Sequence, residues 1–181
     1  MTDRKYKCSV NSNWLNKDFK NDQRDYKYGF KNYELTATEL VEVIHSYGYV
    51  ISYQFDGEIR QEKNFLCTDI VCVDVDNSEE YSSRNRSYED ALQDPLVANN
   101  ALLIYTTTNH TSEQHRYRIV FGLPKSIIDA SDIRALTTGL AIRLAGDLRA
   151  VDAARMFFGS KDCQGSILGN EYLDEAIVSD L

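Results

Sequence analysis

Apolar positions along the chain fall into a few sharply bounded runs. Leu40, Val43, Ile44 and Tyr47 recur at three- and four-residue spacing, which sets them on one stripe of a helix. Thr36 with Glu39 fits a capping box, Leu35 with Leu40 a hydrophobic staple, and Gly48 a stop, so a helix is predicted over 36–47. Tyr49 to Phe55 alternates as a strand does. Gln54 to Asn64 is polar, contains Arg60 and predicts a hairpin or loop. The run at 65–76 is rich in Val and Ile, lacks Gly and Pro, and predicts a buried strand.

Further on, Asn77 to Ser87 is a polar loop, and Ser87 can cap a short helix reaching Gln93. Leu102, Leu103, Ile104 and Tyr105 predict a second buried strand, and Tyr117 to Leu123 a third. Asp129 caps a helix over 130–146, with Ile133, Leu136, Leu140 and Leu144 in register. A short extended segment at 151–158 and a terminal helix at 171–178 complete the reading. Strands and helices mix without a regular βαβ alternation. The expected class is therefore α+β, with a largely antiparallel central sheet and flanking helices.

A chain of 181 residues, 43% hydrophobic and 11% aromatic, has enough apolar material for one domain with a real core. No apolar stretch reaches membrane-spanning length and no signal-peptide pattern opens the chain, so a soluble, intracellular (cytoplasmic) protein without membrane contact is expected. Cys8, Cys67, Cys72 and Cys163 are scattered, and His45, His110 and His115 complete no zinc pattern with them, so buried free thiols are expected. The net charge of -8 argues against a protein that coats nucleic acid. Yet residues 1–33 hold eight Lys or Arg against four Asp, interleaved with Tyr6, Trp14, Phe19, Tyr26, Tyr28 and Phe30. That mixture suits a single-stranded nucleic acid, with bases stacking on rings and phosphates meeting cations; a solvated, loosely structured segment is the plainer reading.

The strand at 65–76 carries the chemistry. Asp74 and Asp76 lie two apart and project to the same side. Two close carboxylates repel each other, and a hard divalent cation, Mg²⁺ or Mn²⁺, is the usual remedy. A strand ending in a polar turn, Asp76-Asn77, is the plainer reading of the same residues. Arg118 lies on the predicted third strand and faces one defined side, where it can fork onto phosphate or pair with one of these carboxylates. Arg155, close to Asp152, carries the same two readings. Arg116 and His115 are expected to face solvent, and His45 to lie on the helix surface.

Read together, Asp74-Val75-Asp76, then Thr108-Asn109-His110 followed by the Arg116–Phe121 strand, then Val151-Asp152 with Arg155 beyond it, form an ordered series. This series resembles the catalytic core of the archaeo-eukaryotic primase superfamily, in particular the small primase-polymerase domains of plasmids, phages and other mobile elements. That family carries a strand-borne Asp-x-Asp/Glu, a Ser-x-His-like motif and a hydrophobe-Asp motif; Thr108 stands here for the usual Ser. The resemblance spans roughly 35–178. It implies an RRM-like catalytic core with an N-terminal α/β subdomain, and a division into a basic aromatic segment, 1–33, and a catalytic domain, 34–181.

The resemblance also implies the chemistry: Asp74, Asp76 and Asp152 holding two Mg²⁺ or Mn²⁺ ions about 3.5–4 Å apart for nucleotidyl transfer. Thr108 and His110 would then contact the incoming nucleoside triphosphate, with Arg118 and Arg155 as further nucleotide-binding candidates. Single-stranded DNA is the implied template, and a replicative helicase a candidate partner. A catalytically silent primase-like module is the main alternative. A metal-dependent nuclease would bring a Lys or a general base, and no Lys lies within the three motifs. A glycosyltransferase Asp-x-Asp would leave the Thr-x-His and Val-Asp segments unexplained.

Overall fold

A computed structural model describes residues 4–13, 26–77 and 85–180. The order begins β1 (Lys5–Asn11), β2 (Lys31–Thr36), α1 (Ala37–Val41, continuing as a wider π-helical turn to Tyr47), β3 (Val50–Ser52), β4 (Gln54–Phe55) and β5 (Phe65–Val75). It continues α2 (Tyr88–Gln93), α3 (Pro95–Asn100), β6 (Leu103–Thr106), β7 (Tyr117–Ile127), α4 (Ala130–Leu144), β8 (Phe157–Phe158), β9 (Gly165–Ile167) and α5 (Glu175–Asp180). Two antiparallel sheets result, ordered β2-β1-β3-β8 and β4-β5-β7-β6-β9. The class is α+β, as the mixed pattern predicts.

Local chemistry sets the element ends. Thr36 and Glu39 form the reciprocal capping box, and Gly48, at φ 64, closes the helix in the left-handed region. Ser87 and Asp90 repeat the capping box on α2. Asp94 accepts from the Leu96 N–H and Pro95 opens α3, a helix that the apolar pattern alone does not announce. On α4 the buried stripe is Ile133, Leu136, Leu140 and Leu144, and the helix ends at Ala145 rather than running to 146.

One core spans both sheets. Tyr6, Cys8 and Val10 of β1 belong to it with Ile70 to Val73 of β5, Ile119 to Phe121 of β7 and the α4 stripe. The described β1 part of the basic N-terminal stretch shares this core, and Phe30 packs in a smaller cluster with Val50 and Phe158. Of the aromatics in that stretch, Tyr6 and Phe30 are buried and Tyr28 is exposed; Trp14 and Phe19 lie outside the described residues. The Lys7 N–H donates to Asp69 Oδ2 at 3.1 Å and Ser9 Oγ to the Tyr53 carbonyl at 2.6 Å, stitching β1 to its neighbours. The four cysteines are free; burial, with Asp69 nearby, pushes the Cys8 thiol up to about 12. Among the described residues no helix is long and apolar enough to cross a membrane.

His45 departs from its expected surface place. A Cβ on Gly165 would meet its ring at 1.8 Å, so only glycine lets the helix approach β9 this closely. Its Nε2 is buried without a hydrogen-bond partner, and burial holds the imidazole below its ordinary value. The unfolded chain takes up a proton near pH 6.5 where the folded ring resists it, so this residue subtracts stability as pH falls below about 6.5 and nothing above it. The melting temperature is expected to drop between pH 7.5 and 5.5, and His45→Gln to narrow that drop. An unchanged drop in the variant would assign it to other groups.

Candidate active site

The end of β5 is held opposite β7 in fixed register, with Asp74 facing Arg118 and Val75 facing Tyr117. Tyr105 of β6 faces Arg118 in turn, and Gly165 of β9 faces Tyr105. Asp74, Arg118, Tyr105 and Gly165 thus form one row across the sheet. Arg118 Nε donates to Asp74 Oδ1 at 2.8 Å and its Nη1 to the Phe158 carbonyl at 2.6 Å. The guanidinium lies 5.8 Å from the ring centres of both Tyr105 and Phe157. Arg118 is only 3% exposed. Burial opposes its charge most strongly, but the Asp74 carboxylate together with Tyr105 and Cys72 outweighs it and raises its pKa above the ordinary arginine value. Arg118 thus pairs with the Asp74 carboxylate.

Asp152 is brought to Asp74 by the chain leaving α4. The left-handed turn at Ala145 leads into Gly146, whose added Cβ would meet Val73 Cγ1 at 2.7 Å. The Asp147 N–H then donates to the Asp74 carbonyl at 2.8 Å, docking this segment on the strand end. Beyond it, Asp152 Oδ1 accepts from the Ala154 N–H at 3.1 Å. Ser52 Oγ donates to the Arg155 carbonyl at 2.6 Å, and Arg60 donates to the carbonyls of Ala154 and Tyr26. The pairing of β8 with β3 closes the segment.

Asp74, Asp152, Arg60, Arg118, Arg155, Met156 and Phe158 line one cleft of about 240 Å³. Arg155 Nη2 lies 3.9 Å from Asp74 Oδ2, the oxygen that Arg118 leaves open. Four of the residues singled out in the sequence therefore meet here, from three separate segments. Arg60 joins them from the polar stretch before β5, mainly as a clamp on the Asp152 loop. The polar stretch itself gives no hint of that partner, because the contact is set by the tertiary fold.

The other candidates form a second group beside the cleft. One step beyond the last β5–β7 pair, Asp76 Oδ1 lies 3.6 Å from Arg116 Nη1, so Arg116 is half-buried against a carboxylate rather than facing solvent. Asp76 is not among the residues lining the cleft. Asn77, at φ 44, donates to the carbonyls of Arg86 and His115. Thr108 is exposed in a turn closed by the His110 N–H on the Thr107 carbonyl at 3.1 Å. The Arg116 N–H donates to His110 Nδ1 at 3.1 Å, which places the proton of the neutral ring on Nε2. His115 is half-buried, its ring 5.1 Å from His110 and its Nδ1 accepting from the Tyr88 N–H; it is tied to α2 rather than exposed.

The donor chemistry suits a hard divalent cation, since two carboxylates face one cleft. Among the described residues no three His, Cys, Asp or Glu converge. Two protein carboxylates with water and phosphate oxygens completing the shell is a usual arrangement for Mg²⁺.

No protein-family model and no curated protein matches the sequence. Solved structures do match. Over 98% of its length the chain superposes on the AEP domain of the primase-polymerase of cyanophage S-2L, covering 88% of that chain, with a TM-score of 0.52 at 10% identity. The catalytic domain of primase RepB' in complex with initiator DNA gives a TM-score of 0.48 at 15% identity, covering 98% of this chain and 85% of that one. A second structure of primase RepB' gives 0.48 at 14% identity, with 98% and 56% covered. The chain has the fold of a primase-polymerase AEP domain.

Proposed function

We propose that this chain is a primase-polymerase catalytic domain that makes or extends primers on a single-stranded DNA template. The observation that carries the reading is the meeting of Asp74 and Asp152, from opposite halves of the chain, in one arginine-rich cleft of a primase-like fold. Asp74 and Asp152 are the carboxylates that would hold Mg²⁺ or Mn²⁺. Asp76, on the same face two register positions beyond Asp74, would join them if its 3.6 Å pairing with Arg116 opened. Two such ions, when bound, activate the attacking hydroxyl and neutralise the departing pyrophosphate.

The chain's own residues supply position and charge. Arg118 fixes Asp74 so that Oδ2 faces the cleft. His110, its Nδ1 occupied by a backbone amide, directs Nε2–H outward as a donor to a phosphate oxygen, and the exposed Thr108 hydroxyl stands beside it. Arg155 reaches phosphate from within the cleft. Exposed Tyr28, with the Lys27 ammonium 5.0 Å from its ring centre, is placed to meet template bases. Nucleoside triphosphates are the substrates of this reading, and a replicative helicase and an intracellular setting are what the primase resemblance implies for it.

The test is incorporation of labelled nucleotides on single-stranded DNA with Mg²⁺ or Mn²⁺, with and without a primer. Product that needs template and metal, and vanishes in Asp74→Ala/Asp76→Ala, is the expected result. Single-stranded DNA bound without product would instead favour a silent binding module.

A further inference from the structure

His110 sits in the loop that joins β6 to β7, and that loop is thinly packed: Thr108, Asn109 and Thr111 to Glu113 are all exposed. A ring that must present one N–H to a phosphate oxygen from such a loop needs support from outside it, because a small misplacement forfeits much of the contact. His115, which lies outside the three sequence motifs, supplies that support. We infer that His115 is a positioning residue, holding the His110 ring so that its Nε2–H meets the incoming triphosphate. The inference rests on the nucleotidyl-transfer reading and adds a residue to its nucleotide-binding group.

The loop is fixed at its base. The Thr107 N–H donates to the Arg116 carbonyl at 2.9 Å, and the Gln114 side-chain amide to the Asn77 carbonyl at 3.1 Å. The His110 ring itself has one hydrogen-bond partner among the described residues, the Arg116 N–H on Nδ1 at 3.1 Å. One such bond settles which nitrogen carries the proton, but leaves the plane of the ring free to tilt about it. The second restraint is the His115 ring, with centres 5.1 Å apart and planes at 89°, an edge-to-face pair.

His115 can serve as a stop because it is held from outside the loop. Its Nδ1 accepts from the Tyr88 N–H of α2 at 3.1 Å, and its carbonyl accepts from Asn77 Nδ2 at 2.7 Å. Tyr88 is buried in turn, its ring edge-on to Tyr117 of β7 at 5.9 Å. Support thus passes from the sheet through α2 to His115 and on to His110. Glu89 Oε2 also stands 3.6 Å from His115 Nδ1, but a nitrogen lone pair already taking an amide proton has nothing to offer a carboxylate. With Nδ1 committed to Tyr88, ring packing is what His115 brings to His110.

Steady-state incorporation on primed single-stranded DNA with Mn²⁺ tests the role, with KM for dTTP and kcat read separately beside dTTP calorimetry and a thermal melt. His115→Ala is expected to raise KM by about three- to tenfold, the worth of one edge-to-face pair. The value of kcat should stay within about twofold, since a contact made equally before and during the reaction sets KM alone. His115→Asn keeps an acceptor for the Tyr88 N–H without the ring, so it should melt like the parent and still show the raised KM. His115→Phe, which restores a ring, should recover part of the loss. In a His110→Ala background, His115→Asn should add less than about twofold, because its effect passes through His110. A parental KM in His115→Asn would overturn the positioning role. So would its full cost repeated without His110, which would make His115 a substrate contact in its own right, and so would a parental KM in His110→Ala, which would leave nothing to position. In each of these cases incorporation by the parent keeps the nucleotidyl-transfer reading standing. If the parent neither binds dTTP nor incorporates it, that reading fails and the inference falls with it.

Discussion

Asp152→Asn is expected to lower templated incorporation by on the order of 10³-fold while leaving the melting temperature within a degree or two of the parent. The separation follows from the geometry. Asp152 Oδ1 accepts a single backbone hydrogen bond, from the Ala154 N–H, and an asparagine carbonyl oxygen can accept the same bond. The local turn is kept and only the charge is lost. That charge is one of two carboxylates facing the cleft, and removing a preorganised charged ligand from a site of this kind costs about 10²–10³ in rate, more where a cation depends on it. Primer extension measured over a Mn²⁺ series, beside a thermal melt, reads both effects. Incorporation within tenfold of the parent at every Mn²⁺ concentration would remove Asp152 from the machinery.

Much of this arrangement is legible in the order of residues alone, and the reasons are physical. The helix beginning at Ala37 carries its caps in its own sequence, and β5 is apolar over a run too long and too β-branched to be a loop. α4 shows a full helical stripe. Elements that depend on partners are not legible in this way. Strand β9 has three residues and exists through its pairing with β6. In β1 the alternation of Tyr6, Cys8 and Val10 with Lys5, Lys7 and Ser9 is a strand signal, but the density of charge around it draws attention to solvent or nucleic acid instead. At the site, the sequence brings out Asp74, Asp152, Arg118 and Arg155 by residue type and order. It cannot say which cation meets which carboxylate, because that is fixed by the β5–β7 register and by the docking of Asp147 on Asp74. The place of Arg60 in the cleft is likewise a tertiary fact, since it enters from a polar stretch with no motif of its own.

The pairing of Arg118 with Asp74 leads to the largest expected effect on stability. Both groups are buried, and a buried ion pair contributes little net stability over a well-packed apolar pair, yet removing one partner strands the other without water. Arg118→Met is therefore expected to cost about 3–5 kcal/mol, and Asp74→Leu a similar amount for the mirror-image reason. The double variant Asp74→Leu/Arg118→Met removes both charges together and should cost clearly less than the sum, with a coupling energy of about 2–3 kcal/mol. Recovery stays incomplete because the Phe158 carbonyl, which accepts from Arg118 at 2.6 Å, loses its donor in either background. Urea unfolding of the four proteins at one pH completes the cycle. Additive costs would mean that the two side chains act separately in the folded protein, and the fixed presentation of Asp74 Oδ2 to the cleft would lose its cause. A recovered double variant that folds but incorporates no nucleotide would locate the purpose of this buried charge pair in the chemistry of the cleft rather than in holding the sheet together.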